Sequence, residues 1–281
     1  MKERVTLTID SGLIKEIDNT IDGFNVKNRS HAVELLLMKA LVNHRPKKAV
    51  ILAASKGQRL RPITYETPKP LIMIKNKPLL QYNIELLRNF NIRNIILVVG
   101  YLKDKIINYF GDGSNFGVNI TYVEEDPDNL PGTAGSLKLV KNMINNTFIL
   151  MYGDNLYDIN IADFYLYHKE NNALATVGLK NITEDLKDYG LAELRGNRIV
   201  RFCEKPANLN SGLANAGIFV LEPEVIDMVK KLGFSMLEND VFPKLAQEEK
   251  LYGYIFDGQW FDIKDSKSYE KALREWNPKN I

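Results

Sequence analysis

Residues 49–62 read AVILAASKGQRLRP and join an apolar run to a loop of small and basic residues. The run at 49–53 is typical of a parallel strand that is buried on both faces. Small side chains in the loop let backbone N–H groups approach phosphate oxygens, and Lys56 and Arg59 offset the phosphate charge. The loop is not a P-loop, because no Gly-Lys-Ser/Thr closes it, and it lacks the spaced glycines of a dinucleotide fingerprint. Taken alone, it also fits an ordinary strand-to-helix turn with solvated cations.

Further motifs follow this loop along the chain. They are Pro68-Lys69-Pro70-Leu71, Gly132-Thr133-Ala134-Gly135-Ser136, Gly153-Asp154, Tyr189-Gly190, Glu204-Lys205-Pro206, Asn215-Ala216-Gly217 and Trp260-Phe261-Asp262-Ile263. In this order, and together with residues 52–62, they resemble the signature of the sugar-phosphate nucleotidyltransferases. The resemblance runs from residue 47 to the C-terminus. It implies a doubly wound, mostly parallel, Rossmann-like sheet of the nucleotide-diphospho-sugar transferase type.

The resemblance also implies a reaction. Members of the family couple a nucleoside triphosphate to a sugar-1-phosphate and release pyrophosphate and a nucleotide-sugar. The sugar phosphate supplies the nucleophile, so the protein has to bring two anions together and neutralise developing charge. Two alternatives stay open. One is a CTP-dependent cytidylyltransferase that acts on phosphocholine or inositol phosphate, and the other is a DNA-binding regulator that uses the transferase fold as a ligand sensor.

The family's functional residues map onto this chain motif by motif. The resemblance gives Arg59 the triphosphate and the leaving pyrophosphate, gives Lys69 the α-phosphate, and counts Asp154 among the catalytic residues. It assigns Asp154 and Asp262 to Mg²⁺, an ion that prefers oxygen ligands. The nucleotide contacts that it implies are Leu52, Ala53, Ala54, Ser55, Gly57, Arg59, Lys69 and Gly132. The implied sugar-phosphate contacts are Tyr189, Gly190, Glu204, Lys205 and Asn215.

The identity of the base and of the sugar is open at this point. Glu124 or Glu125 lies near the position where family members often read a pyrimidine edge, and a carboxylate accepts hydrogen bonds but does not donate them. Two departures from the family pattern bear on the site. Ser55 stands where a glycine is usual, and would be strained if that position needs a positive φ. Lys264-Asp265-Ser266 replaces the usual Gly-Thr-Pro, which puts the local geometry of the sugar pocket in doubt.

Composition excludes few classes of protein but indicates a compartment. The formal net charge is +2, so charge alone indicates neither a nucleic acid nor a membrane partner. The single cysteine, Cys203, cannot form an internal disulfide, which suits a reducing compartment. No apolar run is long enough to span a bilayer, and residues 1–4 do not begin a signal peptide. We therefore expect a cytoplasmic protein with no membrane partner.

Residues 1–45 precede the transferase, which occupies residues 46–281. Residues 4–10 alternate between polar and apolar side chains, as a half-exposed strand does. Ser11 is a candidate cap for a first helix that Gly23 would end. One strand and two helices bury little apolar surface and leave a strand edge unpaired, so we expect this segment to pair with a second copy. The full chain is then a homodimer or a higher homo-oligomer.

This N-terminal segment resembles the ribbon-helix-helix class of small DNA-binding domains. In that class two strands from two chains form a ribbon that enters the major groove. The resemblance places Arg4, Thr6 and Thr8 on the outward face, where arginine suits guanine edges and threonine suits thymine methyls. It places the start of the second helix, near Asn28-Arg29-Ser30, at a backbone phosphate. A domain that only dimerises the enzyme is the alternative, because the charges of the segment nearly balance.

From residue 46 onward, apolar runs alternate with helical patterns, which predicts an α/β fold with a mostly parallel sheet. The predicted strands are 49–53, 95–99, 120–123, 148–151, 173–179 and 218–221. The predicted helices are 79–89, 103–110, 133–142 and 224–231. Residues 191–194 and 199–203, with Gly196-Asn197 between them, predict a β-hairpin.

Overall fold

The computed structural model describes residues 6–40, 45–184, 186–204, 211–229 and 233–279, with residues 38–40, 203 and 204 described by their backbone only. The chain forms two compact units, Met1–Arg45 and Pro46–Ile281. No helix in the described part of the chain is long and apolar enough to cross a membrane.

The first helix of the N-terminal unit, α1, spans Ser11–Asn19. Its cap is Asp10 and not Ser11 as predicted, because the Asp10 carboxylate accepts a hydrogen bond of 2.7 Å from Gly12 N. The helix also ends earlier than predicted, at Asn19, and Gly23 lies in the following turn with a φ of 77°. A carboxylate at the cap position satisfies N–H groups that have no partner inside the helix.

The second helix, α2, spans Arg29–Ala40. Asn28 Oδ1 accepts from His31 N at 2.9 Å, so Asn28 caps this helix. Arg29 donates from Nε and a terminal guanidinium nitrogen to both carboxylate oxygens of Asp18, at 2.7 and 2.6 Å, which joins α2 to α1. Residues 6–10 form no strand within the described single chain, so the predicted strand is not present in this one copy.

The second unit contains the strands and the remaining helices. The strands are β1 (Lys48–Ala53), β2 (Met73–Ile74), β3 (Lys77–Pro78), β4 (Asn94–Val99), β5 (Asn119–Glu124), β6 (Phe148–Tyr152), β7 (Asn155–Tyr157), β8 (Ala175–Ile182), β9 (Gly190–Arg195), β10 (Arg198–Glu204), β11 (Gly212–Leu221), β12 (Leu251–Ile255) and β13 (Trp260–Asp262). The helices are α3 (Leu79–Asn89), α4 (Lys103–Phe110), α5 (Gly132–Leu139), α6 (Ile161–Glu170), α7 (Glu224–Asp227), α8 (Phe242–Gln247) and α9 (Ser266–Glu275).

The main sheet has the order β5-β4-β1-β6-β11-β8-β12-β10-β9. Strands β5, β4, β1 and β6 are parallel, and β12 is parallel to β8. Strand β11 runs antiparallel to both β6 and β8, and β9 and β10 form the predicted hairpin. The predicted α/β class is confirmed, with more antiparallel pairing than the sequence suggested, because β11 returns between two strands of the opposite direction.

Helices cover both faces of this sheet. Ile51 of β1 packs with α3, α4 and α6 in one apolar cluster, whereas Val50 packs with α5, α7 and α8 in another. Both side chains are fully buried. In a strand that is buried on both faces, polar and apolar side chains do not alternate. This explains the continuous apolar run at residues 49–53.

Helices α3 and α4 have the predicted bounds, and α5 ends at Leu139, earlier than predicted. Helices α6, α8 and α9 were not predicted. The short strand β13 pairs antiparallel with β7, and Asp262 lies opposite Asn155 in this pair. This small two-stranded sheet brings the C-terminal motif of the chain to the end of β6.

Candidate active site

A cleft of about 510 Å³ opens where β1 and β6 end. Its lining residues are Ser55, Lys56, Gly57, Gln58, Arg59, Lys69, Pro127, Asp128, Leu130, Asp154 and Lys264. In open α/β sheets, ligands bind outside the carboxyl ends of parallel strands. The cleft therefore lies where the fold class places ligands, and it combines several cations with few acids.

The loop after β1 forms one wall of this cleft. Gly57 has a φ of 59°, and a Cβ there would lie 3.0 Å from Thr64 Cγ2 and 3.1 Å from Lys69 Cβ, so glycine is required. Ser55 does not take a left-handed φ, which removes the strain considered for this departure from the family pattern. The serine hydroxyl therefore lines the cleft without a conformational cost.

The residues before this loop, Leu52 and Ala53 at the end of β1 and Ala54 directly after it, lie outside the cleft lining. Ala53 and Ala54 are 4% and 7% exposed, and the Leu52 carbonyl already accepts from Gly153 N at 2.8 Å. The side chains of Ala53 and Ala54 are packed inside the protein, and the Leu52 carbonyl already has a hydrogen-bond partner. Any nucleotide contact at Leu52, Ala53 or Ala54 would have to use other backbone atoms.

Lys69 is the most enclosed of the cleft cations in the loop region. It begins a short 3₁₀ turn, Lys69–Leu71, between Pro68 and Pro70. Its side chain is 6% exposed, and its Nζ lies 2.6 Å from Asp154 Oδ2. The two prolines fix the backbone on either side, so the ammonium is held in the cleft at little further cost in entropy.

Asp154 and Asp262 meet at the junction of β6, β7 and β13. Ile263 N donates to the Asp154 carbonyl at 3.1 Å, which holds the two backbones together. Burial and, second, the nearby charge of Asp154 raise the pKa of Asp262 to about 6. Two carboxylates in a poorly solvated site repel each other unless a cation lies close.

The fit of Mg²⁺ to this site is judged from the oxygen donors present. Asp154 and Asp262 offer carboxylate oxygens, and the buried Asn155 Oδ1 has no hydrogen-bond partner among the described atoms. The described residues contain no group of three or more His, Cys, Asp or Glu with the geometry of a metal site. Mg²⁺ often takes one or two carboxylates and completes its shell with phosphate oxygens and waters. The donor set therefore fits this ion.

The residues predicted for the sugar phosphate lie along β9, β10 and β11. Glu204 pairs with Gly190 in the β9–β10 ladder, and Tyr189 precedes this pair. The Tyr189 ring packs against Trp260, with 5.2 Å between ring centroids. The side chain of Glu204 and all of Lys205 lie outside the described residues.

Asn215 is linked to the residues after Gly132 through a buried glutamate. Its Oδ1 accepts from Gly217 N at 2.9 Å, and its Nδ2 donates to Glu238 Oε1 at 3.4 Å. The other carboxylate oxygen of Glu238 accepts from Thr133 Oγ1 at 3.1 Å. Glu238 was not predicted, and it joins two of the motifs by one carboxylate.

The start of α5 carries the motif predicted to lie near the base. Gly132 has a φ of 81°, and a Cβ there would lie 2.4 Å from the Ser235 carbonyl oxygen, so no other residue fits. Of the two candidate glutamates, Glu124 is exposed and pairs with Lys103. Glu125 is buried, its Oε1 has no partner among the described atoms, and burial raises its pKa.

Matches with known proteins agree with this fold. Residues 48–277 match the family model described as nucleotidyl transferase, and the chain belongs to this family. It is 38% identical over 242 residues to a UTP–glucose-1-phosphate uridylyltransferase of Synechocystis, and 35% identical over 247 residues to a mannose-1-phosphate guanyltransferase of Yarrowia lipolytica. These matches cover 81% and 83% of this chain but only 62% and 67% of the two relatives.

A solved structure gives the same result for the fold. A Bacillus anthracis protein assigned as a glucose-1-phosphate thymidylyltransferase has a TM-score of 0.75 and 26% identity. The match covers 81% of this chain and 94% of that chain. The predicted family and its fold are therefore confirmed for the second unit. The family model begins at residue 48, after the N-terminal unit.

Proposed function

We propose that this protein transfers a nucleotidyl group from a nucleoside triphosphate to a sugar-1-phosphate and releases pyrophosphate. The observation that carries the proposal is the pairing of Lys69 with Asp154, at 2.6 Å, inside one cleft that Arg59 also lines. The cleft thus brings together two cations, Lys69 and Arg59, and one candidate metal ligand, Asp154. These groups suit a reaction between two phosphates. The names of the relatives support the same substrate classes.

In this reaction an oxygen of the sugar phosphate attacks the α-phosphorus, and the bond to the β-phosphate bridging oxygen breaks. Lys69 neutralises charge on the equatorial oxygens of the α-phosphorus, where charge builds up. Arg59 neutralises charge on the departing pyrophosphate. The loop that contains Ser55 and Gly57 aligns the triphosphate for in-line attack. No protein nucleophile takes part, since the substrate supplies its own.

Asp154 and Asp262 would hold Mg²⁺ in this scheme, and the bound ion would neutralise phosphate charge. The chain's own contribution is to orient the two carboxylates toward one site. The Lys69 ammonium favours the charged form of Asp262, as its effect on the pKa of this carboxyl indicates. The β7–β13 ladder fixes the position of Asp262 relative to Asn155.

The test is a matrix of the common triphosphates against glucose-1-phosphate, mannose-1-phosphate and other hexose-1-phosphates, read by pyrophosphate release. Phosphocholine and inositol phosphate with CTP are included as the alternative acceptors. Turnover with a hexose-1-phosphate supports the proposal. Turnover with the alternative acceptors only, or with no pair at all, contradicts it, and the second result favours the ligand-sensor alternative.

The N-terminal unit supports a second proposal, that it pairs two copies of the chain. The side chains of Leu7, Leu13 and Phe24 are 57%, 55% and 89% exposed, and no residue of α1 is buried. Apolar side chains in a unit of this size usually find cover. Residues 6–10 also lack a strand partner within the described chain, which a second copy would supply.

We also propose DNA as a partner of the paired unit, on the strength of the ribbon-helix-helix resemblance. Thr6 and Thr8 are exposed, and Arg4 lies outside the described residues. Light scattering of the full chain tests the pairing, and a monomer at micromolar concentration contradicts it. Selection from a random duplex pool tests the DNA proposal. If no sequence is enriched, or if Thr6→Ala and Arg4→Ala bind the enriched sequence as tightly as the wild type, the DNA proposal is wrong and the unit has a pairing role only.

A further inference from the structure

Lys264 is a buried cation in the cleft that the reaction described so far does not use. Its side chain is 6% exposed, and it lines the cleft together with Arg59 and Lys69. It stands where the family pattern has a glycine. Burying an ammonium is costly unless a partner compensates for its lost hydration. Asp188 supplies such a partner from within the chain, and a phosphate in the cleft would be a second.

The backbone around Lys264 is fixed on both sides. Strand β13 ends at Asp262, and the next residue, Ile263, is fully buried. On the other side Asp265 caps α9, with its Oδ1 accepting from Ser268 N at 2.8 Å. The replacement of Gly-Thr-Pro thus produces a defined turn. Lys264 is held in place and is not part of a loose loop.

The ammonium of Lys264 lies beside a residue that the resemblance assigns to the sugar phosphate, Tyr189. Its Nζ donates to Asp188 Oδ2 at 2.5 Å and lies 4.6 Å from the centroid of the Tyr189 ring. Tyr189 directly precedes Gly190, the residue that the resemblance assigns to the sugar. An ammonium has three donor hydrogens. Because Lys264 lines the cleft, a phosphate that enters can accept from this ammonium in exchange with one of its present partners.

The other cleft cations come from a different part of the chain. Lys56, Arg59 and Lys69 all belong to the segment that follows β1, where the triphosphate is expected. Lys264 comes from the β13–α9 connection and lies beside Asp188 and Tyr189. The two groups of cations therefore suit two different phosphates.

We propose that Lys264 binds the phosphate of the sugar-1-phosphate, with Asp188 as the positioning residue that aims its ammonium. This inference rests on the proposed function. It adds a substrate-binding cation that the glycine of the family pattern could not supply. Arg59 also faces Asp188 closely enough to lower the pKa of that carboxyl, after the larger effect of the Lys264 hydrogen bond.

The test compares variants that separate charge from packing. Lys264→Gln removes the charge, and Lys264→Arg keeps it. The double variant Lys264→Gln/Asp188→Asn replaces the ion pair by two neutral amides that can still bond to each other, so it keeps the packing without a stranded carboxylate. Lys271→Gln is the matched control, because Lys271 lies on α9 and its side chain is half-exposed and 3.8 Å from Glu184.

KM and kcat are measured for both substrates with the best pair from the matrix. Both Lys264→Gln variants should raise KM for the sugar-1-phosphate by roughly 10- to 100-fold, as expected for the loss of a hydrogen bond to a charged group. KM for the triphosphate should change little. Lys264→Arg should recover most of the loss, and the Lys271→Gln control should match the wild type.

Other results would overturn the inference. If the Lys264→Gln variants raise KM for the triphosphate and leave KM for the sugar phosphate unchanged, Lys264 binds the triphosphate and the inference is wrong. A fall in kcat alone, with both KM values unchanged, would show a purely structural role.

Calorimetric titration with glucose-1-phosphate, mannose-1-phosphate and the free sugars gives a reading that does not depend on turnover. If the wild type releases no pyrophosphate with any pair, the proposed function fails and the calorimetry still decides the role of Lys264. Weaker binding of a sugar phosphate to the double variant, with the free sugar unaffected, supports that role. Equal binding to wild type and double variant contradicts it.

Discussion

Replacing Lys69 by methionine removes a charge from the centre of the cleft and keeps most of the side-chain volume. The variant should lose roughly 10²–10³ in kcat, or about 2.7–4 kcal/mol, which is typical for loss of one preorganised group that stabilises transition-state charge. The KM values should change less than kcat, because the ammonium would act mainly on charge that develops during the reaction.

The same substitution has a separate effect on stability. The Lys69 side chain is 6% exposed and that of Asp154 is 29% exposed, so the pair lies between a surface and a fully buried ion pair. Surface pairs contribute up to about 1 kcal/mol, and breaking a buried pair costs about 3–5 kcal/mol. We therefore expect the free energy of unfolding to fall by about 1–3 kcal/mol, a loss that a folded domain can tolerate.

Two assays separate these effects. Pyrophosphate release at saturating substrate gives kcat, and urea unfolding gives stability. Lys141→Met is the control, because Lys141 forms an ion pair with Asp227 that is about half-exposed on both sides, and neither quantity should change much. A fall in kcat of less than roughly 10-fold, in a variant that is folded at the assay temperature, would refute the role of Lys69 in charge stabilisation.

Four further outcomes are expected. Asp154→Asn should abolish most turnover at ordinary Mg²⁺ concentrations while leaving the fold intact, as circular dichroism would report. Wild type should prefer GTP to UTP, because a Glu125 carboxylate can accept from both the N1–H and the amino group of guanine but from only one N–H of uracil, and Glu125→Gln should narrow the ratio of the two kcat/KM values. Acidification should lower stability, measured as the urea midpoint against pH. Burial lowers the pKa of His168, so its contribution is complete above pH 6.5 and is lost as the pH falls below that value. Burial of Glu222 opposes its ionisation, but hydrogen bonds, of which that with His168 has the largest effect, lower its pKa to about 2. The contribution of Glu222 to the free energy of unfolding is therefore lost between pH 4.5 and 2, and Glu222→Gln should reduce the loss of stability in that range. Deletion of residues 1–45 should leave an active transferase of smaller assembly size, and an insoluble or inactive product would contradict the independence of the second unit.

The sequence predicted the parallel part of the sheet well for a physical reason. Strands such as β1 and β4 are buried on both faces and read as continuous apolar runs, and α3 and α4 have clear helical periodicity. Strand β11 was predicted only at 218–221, although it begins at Gly212. Its first half, Gly212-Leu213-Ala214-Asn215, pairs with β8 and β9 and contains only one large apolar residue, which is too few for an apolar run or a clear alternation.

The residues of the candidate site likewise divide into those that the sequence predicts and those whose role depends on the folded structure. Lys69, Arg59 and Asp154 stand in motifs with a fixed spacing, and the structure brings them to one cleft. Glu238 could not be predicted, because its link to Thr133 depends on the packing of α5 against a distant turn. In the sequence, Lys264 could be recognised only as a departure from the Gly-Thr-Pro of the family pattern. Its burial and its pairing with Asp188 are properties of the folded chain.

The cleft lysines are held by carboxylates of the same chain, and this has a consequence for substrate entry. Lys69 is bound to Asp154 and Lys264 to Asp188, so an arriving phosphate has to displace an internal counter-ion. When Lys69 turns to a phosphate oxygen, Asp154 loses its partner and becomes a better ligand for a cation. The affinities for anion and cation are then thermodynamically linked, and each must strengthen the other by the same factor. Such a cleft discriminates against an anion that arrives without its counter-ion.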